Sequence, residues 1–199
     1  MLFDDTELAL EGATLHYWPN WLEPGLAQRW FSDLQAQTPW QQSKLKIYGR
    51  YHLTPRLTAW YGDAEARYRY SGLINEPLPW TPLLREICQR VEAHVQARFN
   101  AVLLNYYRDG ADSMGWHSDD EAELGPEPII ASLNLGAPRR FDFRRVGATR
   151  IEHSLELAGG SLLLMAGKTQ HHWQHQVAKT RQVLAPRINL TFRLIRFSV

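Results

Sequence analysis

His117 and Asp119 stand two residues apart in Gly115-Trp116-His117-Ser118-Asp119-Asp120-Glu121. In extended backbone, side chains at i and i+2 point to the same face. An imidazole and a carboxylate on one face can share a small ion. A third ligand from a distant strand would complete a face of two histidines and one carboxylate, with open coordination positions opposite it.

The chain supplies candidates for that third ligand in His171-His172-Trp173-Gln174-His175. Composition alone does not choose among His171, His172 and His175. Next comes Pro186-Arg187-Ile188-Asn189-Leu190-Thr191-Phe192-Arg193. Its alternation puts Arg187, Asn189, Thr191 and Arg193 on one face and Ile188, Leu190 and Phe192 on the other. Two guanidiniums on one face need an anion. A dicarboxylate co-substrate would supply it, because planar arginine forks bind carboxylates bidentately. A metal face beside a carboxylate-binding strand is the pattern of non-haem Fe(II) oxygenases, whose three protein ligands leave room for a keto acid and dioxygen.

The run His117-Ser118-Asp119-Asp120-Glu121, then His175, then Arg187-Ile188-Asn189-Leu190-Thr191-Phe192-Arg193 resembles the AlkB family. Asn105-Tyr106-Tyr107 is similar to that family's Asn-x-Tyr element, and the likeness runs from about Ile47 to Arg193. The resemblance implies a dioxygenase that uses Fe(II), 2-oxoglutarate and dioxygen to demethylate nucleic-acid bases. It implies His117, Asp119 and His175 as metal ligands and catalytic centre. It assigns Arg187 to the distal carboxylate of 2-oxoglutarate, Arg193 near the keto-acid end, and Asn105, Tyr107 and Asn189 to further hydrogen bonds.

The same resemblance points to a substrate. A methyl on the Watson–Crick edge of adenine or cytosine blocks pairing and makes the base cationic. A base inside a duplex must be flipped out to reach the site. Asp120 resembles the family's base-contacting acid, with Glu121 beside it. Tyr68 and Tyr70, within Gly62 to Gly72, resemble the segment that stacks on the flipped base in the branch acting on duplex DNA. Ile47-Tyr48-Gly49 resembles that branch's apolar finger, a wedge that would fill the vacated space with Tyr48. Arg56, Arg139, Arg140, Arg144, Arg145 and Lys168 are candidate phosphate contacts, which would give salt-dependent affinity. The expected partner is alkylated DNA, in duplex form, with single-stranded DNA or RNA as the alternative.

Composition bounds these readings. The 199 residues suit a single domain with a sizeable core. Net charge is only +1, so attraction to phosphate must come from local clustering. One cysteine, Cys88, excludes an internal disulfide framework and a multi-cysteine zinc site. The first residues lack a basic stretch followed by an apolar one, and no apolar run reaches membrane-spanning length. A soluble, cytoplasmic monomer is expected.

The elements that must position these residues follow from pattern. Leu26, Trp30, Phe31 and Leu34 predict a helix opened by Glu23-Pro24-Gly25 and ended by Pro39. Thr81 and Pro82 are N-cap and first-turn signals for a second helix, whose buried stripe is Leu84, Ile87, Cys88, Val91 and Val95. A hairpin is expected over 43–55, turning near Gly49. Arg56 to Gly62 reads as irregular, and Ala66 to Tyr70 as a short strand. From Phe99 onward short strands dominate: 101–107, 129–135, 140–144, 150–156, 161–165, 172–177 and 188–197, with Gly and Pro between them. The fold class expected is mostly β with flanking α-helices, a double-stranded β-helix or jelly roll. It forms one domain over 1–199. Residues 1–98 serve as substrate-recognition region and helical buttress, and residues 99–199 as the catalytic jelly roll.

Two other classes compete. A metal-bound jelly roll that binds nucleic acid without catalysis leaves the paired arginines Arg187 and Arg193 unexplained. A zinc hydrolase needs no keto-acid site and fails on the same ground.

Overall fold

The structure is a computed structural model, described over residues 6–47, 50–66, 68–70, 73–182 and 184–196. Both long helices start where the sequence chemistry says. At Pro24–Gln37 the Glu23 carboxylate accepts from the Leu26 N–H at 3.1 Å. At Pro82–Val95 the Thr81 hydroxyl accepts from the Leu84 N–H at 3.2 Å. Each cap satisfies a backbone donor that has no partner inside its helix. The stripes Ala27, Trp30, Phe31, Leu34 and Leu84, Ile87, Cys88, Val91 are buried. Burial pushes the Cys88 thiol up to about 12, so it packs as a small apolar group and not as a nucleophile.

The chain then alternates between two antiparallel sheets. The larger has seven strands in the order Thr6–Glu7, Thr14–Trp18, Leu162–Ala166, Ile130–Gly136, Arg187–Arg193, Ala101–Tyr107 and Leu57–Gly62. The smaller has four, in the order His153–Leu157, Arg139–Arg145, Trp173–Val177 and Met114–His117. This is the expected jelly roll. Both helices pack on the outer face of the larger sheet, where Trp30, Phe31, Ile87 and Val91 join Leu104, Leu133, Ile188, Leu190 and Phe192 in one cluster. The inner face packs on the smaller sheet through Tyr17, Tyr107, Phe141, Phe143, Leu163, Met165, Trp173 and Val177. Trp173 is therefore core, with its indole N–H donated to the Glu11 carbonyl. The alternation of Arg187–Arg193 now has its reason. Its apolar residues face the helices, and its polar residues face the space between the sheets.

One expectation fails. Leu57–Gly62, read as irregular, is the edge strand of the larger sheet and pairs along Ala101–Tyr107. Its two faces meet helix-side core and an open cavity, so apolar residues occupy both and no period of two stands out. The hairpin is present as Lys44–Ile47 paired with Arg50–Leu53. Tyr48 and Gly49, its expected tip, lie outside the described residues. The short strand expected over 66–70 is Tyr68–Tyr70, paired with Leu73–Asn75. Among the described residues no helix is long and apolar enough to cross a membrane.

Candidate active site

The smaller sheet brings two histidines together directly. His117 closes the strand Met114–His117, and the register sets it opposite His175 on Trp173–Val177. Their rings are 4.3 Å apart, centroid to centroid. Asp119 follows two residues on, with an oxygen 3.7 Å from His175 Nε2. One ligand atom from each of the three lies within 4.8 Å of the others. Of the three histidines that composition left open, His175 joins this cluster. His171 and His172 are exposed, and His171 bonds the Pro126 carbonyl instead.

The surroundings fix the ligands. His117 Nδ1 lies 2.8 Å from the Gly115 carbonyl, which can only accept. The proton is therefore on Nδ1, and Nε2 presents a lone pair. The Asp119 N–H donates to the buried Gln170 Oε1 at 2.9 Å, and the Ser118 hydroxyl to the Trp173 carbonyl at 3.0 Å. One Asp119 oxygen pairs with Arg193 Nη2. Burial, reinforced by the neighbouring His117, pushes the His175 imidazole down to about 3, and burial lowers His117 as well. Asp119 is pulled the other way by its own burial, but Arg193 and the two imidazoles outweigh it and hold the carboxyl low. The site thus presents two neutral imidazoles and one carboxylate, the protonation states a metal requires. The 3.7 Å gap between His175 Nε2 and Asp119 is too long for a hydrogen bond and within the span of two ligands on one ion, roughly 4 Å. These residues fit a divalent metal.

Beside the triad runs the polar face of Arg187–Arg193. Asn105, Tyr107, Arg187, Asn189, Thr191 and Arg193 line an inner cavity together with His117, Asp119 and His175. Arg187 is 1% exposed. Its Nη2 donates to Asn134 Oδ1, and its guanidinium lies 4.9 Å from the Tyr107 ring centre. Among the described residues its Nε and Nη1 have no hydrogen-bond partner and no carboxylate pairs with it. Burial pulls the pKa of its guanidinium below the ordinary arginine value. A buried cation with two idle donors is costly unless an anion arrives. A second cavity, about 170 Å³, opens outward from the same metal face and is lined by Ser43, Thr54, Arg56, Trp60, Met114 and Glu121 among others.

A profile of the family described as the 2OG-Fe(II) oxygenase superfamily matches residues 14–193. The chain belongs to that superfamily. This oxygenase is 42% identical to the DNA oxidative demethylase ALKBH2 of Mus musculus over 179 residues, which is 85% of the chain and 75% of the relative. It is 41% identical to the alpha-ketoglutarate-dependent dioxygenase alkB homolog 3 of Homo sapiens over 187 residues, or 89% of the chain and 65% of the relative. The chain spans 61% of the human ALKBH2. A solved structure of OsALKBH1 superposes with TM-score 0.66 at 16% identity, covering 94% of this chain and all of that one, which shows the fold alone. The superfamily works with Fe(II), 2-oxoglutarate and dioxygen, and the triad of His117, Asp119 and His175 fits the first.

The remaining expectations about this oxygenase divide. Glu121 lines the outer cavity, whereas Asp120 is exposed and is not among its lining residues. Arg56 lines it too, buried, with Nε on Asn105 Oδ1 at 2.7 Å. Arg139 is likewise buried, donating to the carbonyls of Asp109, Asp112 and Ala178. Arg140 pairs with Asp142, and Arg145 with Glu11. Arg144 lies 4.3 Å over the Trp116 ring, and Lys168 is exposed. The side chains of Tyr68 and Tyr70, like Tyr48, lie outside the described residues. Sequence reasoning missed Gln170, Ser132 and Asn134. The last two carried a signal, since they are polar residues two apart in the apolar strand Ile130–Gly136.

Proposed function

We propose that this oxygenase repairs DNA by oxidative demethylation of N-alkylated bases, with N1-methyladenine and N3-methylcytosine as substrates. The observation that carries the chemistry is Arg187, a buried cation with two unpartnered donors in the same cavity as a neutral His-Asp-His face. Neither a zinc hydrolase nor a non-catalytic binding domain needs that cation. The relatives' names carry the substrate class.

In this reading His117, Asp119 and His175 hold the iron, which supplies the activation of dioxygen. Arg187 binds the distal carboxylate of 2-oxoglutarate, with Tyr107, Asn105 and Asn189 around the rest of the molecule. Arg193 neutralises Asp119 and adds positive charge near the keto-acid end. The outer cavity receives the base. One oxygen atom converts the N-methyl to N-hydroxymethyl. The other enters succinate as 2-oxoglutarate loses carbon dioxide. The hydroxymethyl amine then breaks its C–N bond, giving formaldehyde and the unmodified base. Glu121 sets a carboxylate in the wall that a cationic methylated base meets, favouring the lesion over the neutral normal base. A lesion that pairs poorly costs less to extrude, which adds to selectivity.

Duplex DNA is the preferred form and the protein acts as a monomer. The support for duplex is the hairpin Lys44–Ile47 with Arg50–Leu53, near enough for Ser43 and Thr54 at its base to line the outer cavity. One comparison tests the substrate class. Matched oligonucleotides carrying a single N1-methyladenine, as duplex DNA, single-stranded DNA and RNA, are assayed for loss of one methyl mass. Fastest loss on duplex DNA is expected. Faster turnover of RNA would move the substrate and leave the chemistry in place.

A further inference from the structure

Three asparagines stand in register across the centre of the larger sheet. Asn105 faces Asn189, and Asn189 faces Asn134, on three neighbouring strands. Their amides are hydrogen-bonded in series. Asn105 Nδ2 donates to Asn189 Oδ1 at 3.3 Å, and Asn189 Nδ2 reaches Asn134 Oδ1 at 3.4 Å and the Ser132 hydroxyl at 2.8 Å. A guanidinium caps each end. Arg187 Nη2 donates to Asn134 Oδ1, and Arg56 Nε donates to Asn105 Oδ1 at 2.7 Å.

The direction of this row is not free. An amide can turn over and exchange its oxygen for its nitrogen, but an arginine Nε–H can only donate. Arg56 therefore fixes Asn105 with its oxygen outward and its amino group toward Asn189. The facing atom of Asn189 is an oxygen, since its own Nδ2 donates to the Leu133 carbonyl at 3.2 Å, and that oxygen also accepts from the Thr191 hydroxyl at 3.0 Å. Arg56 touches both cavities in this way. It lines the outer one, and among the described residues its Nη2 has no hydrogen-bond partner. Through Asn105 it reaches the wall of the inner one.

We infer that Arg56 is a positioning residue for the co-substrate: it acts through Asn105, holding the amide that 2-oxoglutarate meets in the orientation that also bonds Asn189. The inference rests on the reading of the inner cavity as the 2-oxoglutarate site. A side chain that orients contacts without touching the ligand commonly changes affinity by 10- to 100-fold, and an effect of about tenfold is expected here.

The test is calorimetric titration of 2-oxoglutarate into the Mn(II)-loaded protein, without DNA or turnover. Wild type, Arg56→Met, Asn105→Leu and the double variant are compared. Arg56→Met should weaken 2-oxoglutarate binding about tenfold, and the double variant should be no weaker than the weaker single variant, because both break one chain of bonds. Affinity for Mn(II) alone should stay within about twofold of wild type, which a general loosening of the sheet would not allow. Wild-type 2-oxoglutarate affinity in Arg56→Met overturns the inference. So do losses that simply add, or a fall in Mn(II) affinity to match. Wild-type protein that binds no 2-oxoglutarate overturns the reading of the cavity and this inference with it.

Discussion

Replacing Arg187 with methionine separates the co-substrate role of this residue from any structural one. In the folded chain the guanidinium is 1% exposed, with two donors unpartnered. A hydrogen bond between charged groups contributes roughly 1.5–3 kcal/mol. Two such bonds to one carboxylate then represent about 3–6 kcal/mol of 2-oxoglutarate binding, or roughly a hundredfold to ten-thousandfold in affinity. Without ligand the balance reverses. Methionine is close in shape, and Asn134 Oδ1 keeps a donor in Asn189 Nδ2. Exchanging a buried charge that has no counter-charge for an apolar side chain is often neutral or stabilising. Arg187→Met should therefore raise KM for 2-oxoglutarate at least a hundredfold while leaving the ligand-free melting temperature equal to or above that of wild type. Steady-state kinetics and calorimetry on one preparation read both. An unchanged KM would refute the assignment. A melting temperature lower by ten degrees or more would show that Arg187 holds the fold together instead.

Other perturbations probe the rest of the site. Asp119→Ala should abolish demethylation and lower metal affinity, with metal content read on the purified protein; it also frees Arg193, so added acetate should not restore turnover. Gln170→Met removes the acceptor for the Asp119 N–H and should weaken metal binding about tenfold without loss of fold, checked by metal titration. Glu121→Gln should slow turnover of cationic N1-methyladenine more than of a neutral methylated base, and equal effects on both would remove Glu121 from base recognition. Stability without metal should fall as pH drops. His175 is held near 3 against an ordinary 6.5, so between these values the unfolded chain binds a proton that the folded one refuses. At pH 5.5 that amounts to about 1.4 kcal/mol for this histidine alone. His117 acts in the same direction, and Asp119, held low when folded, adds its own loss below its ordinary 3.8. Denaturant melts at pH 7.5 and 5.5 should show the fall, and His175→Asn should make it shallower.

What could be read before any coordinates was whatever repeats at a fixed period or acts at short range. The polar face of Arg187–Arg193, the pair His117 and Asp119, and the caps Glu23 and Thr81 are all local patterns, and the fold honours each. What could not be read depends on neighbours distant in the chain. Leu57–Gly62 hid as a strand because its two faces meet different surroundings. Arg56 and Arg139 look like solvated cations until the bonds to Asn105 and to three backbone carbonyls are seen. Gln170 is one polar residue before two histidines, and only the fold brings it to Asp119 across a separation of 51 residues. The adjacent acids Asp120 and Glu121 differ in placement because a single step in the loop turns one outward and the other into the cavity wall.

The central claim is that one site couples 2-oxoglutarate oxidation to removal of a methyl group from a DNA base. The direct measurement loads the protein with Fe(II) and 2-oxoglutarate without oxygen, then admits air in the presence of a duplex oligonucleotide carrying one N1-methyladenine. Succinate, formaldehyde and the loss of one methyl mass should appear together, in equal amounts, and none without 2-oxoglutarate. Methyl loss that proceeds without 2-oxoglutarate, or metal-loaded protein that yields neither succinate nor formaldehyde, would contradict the account.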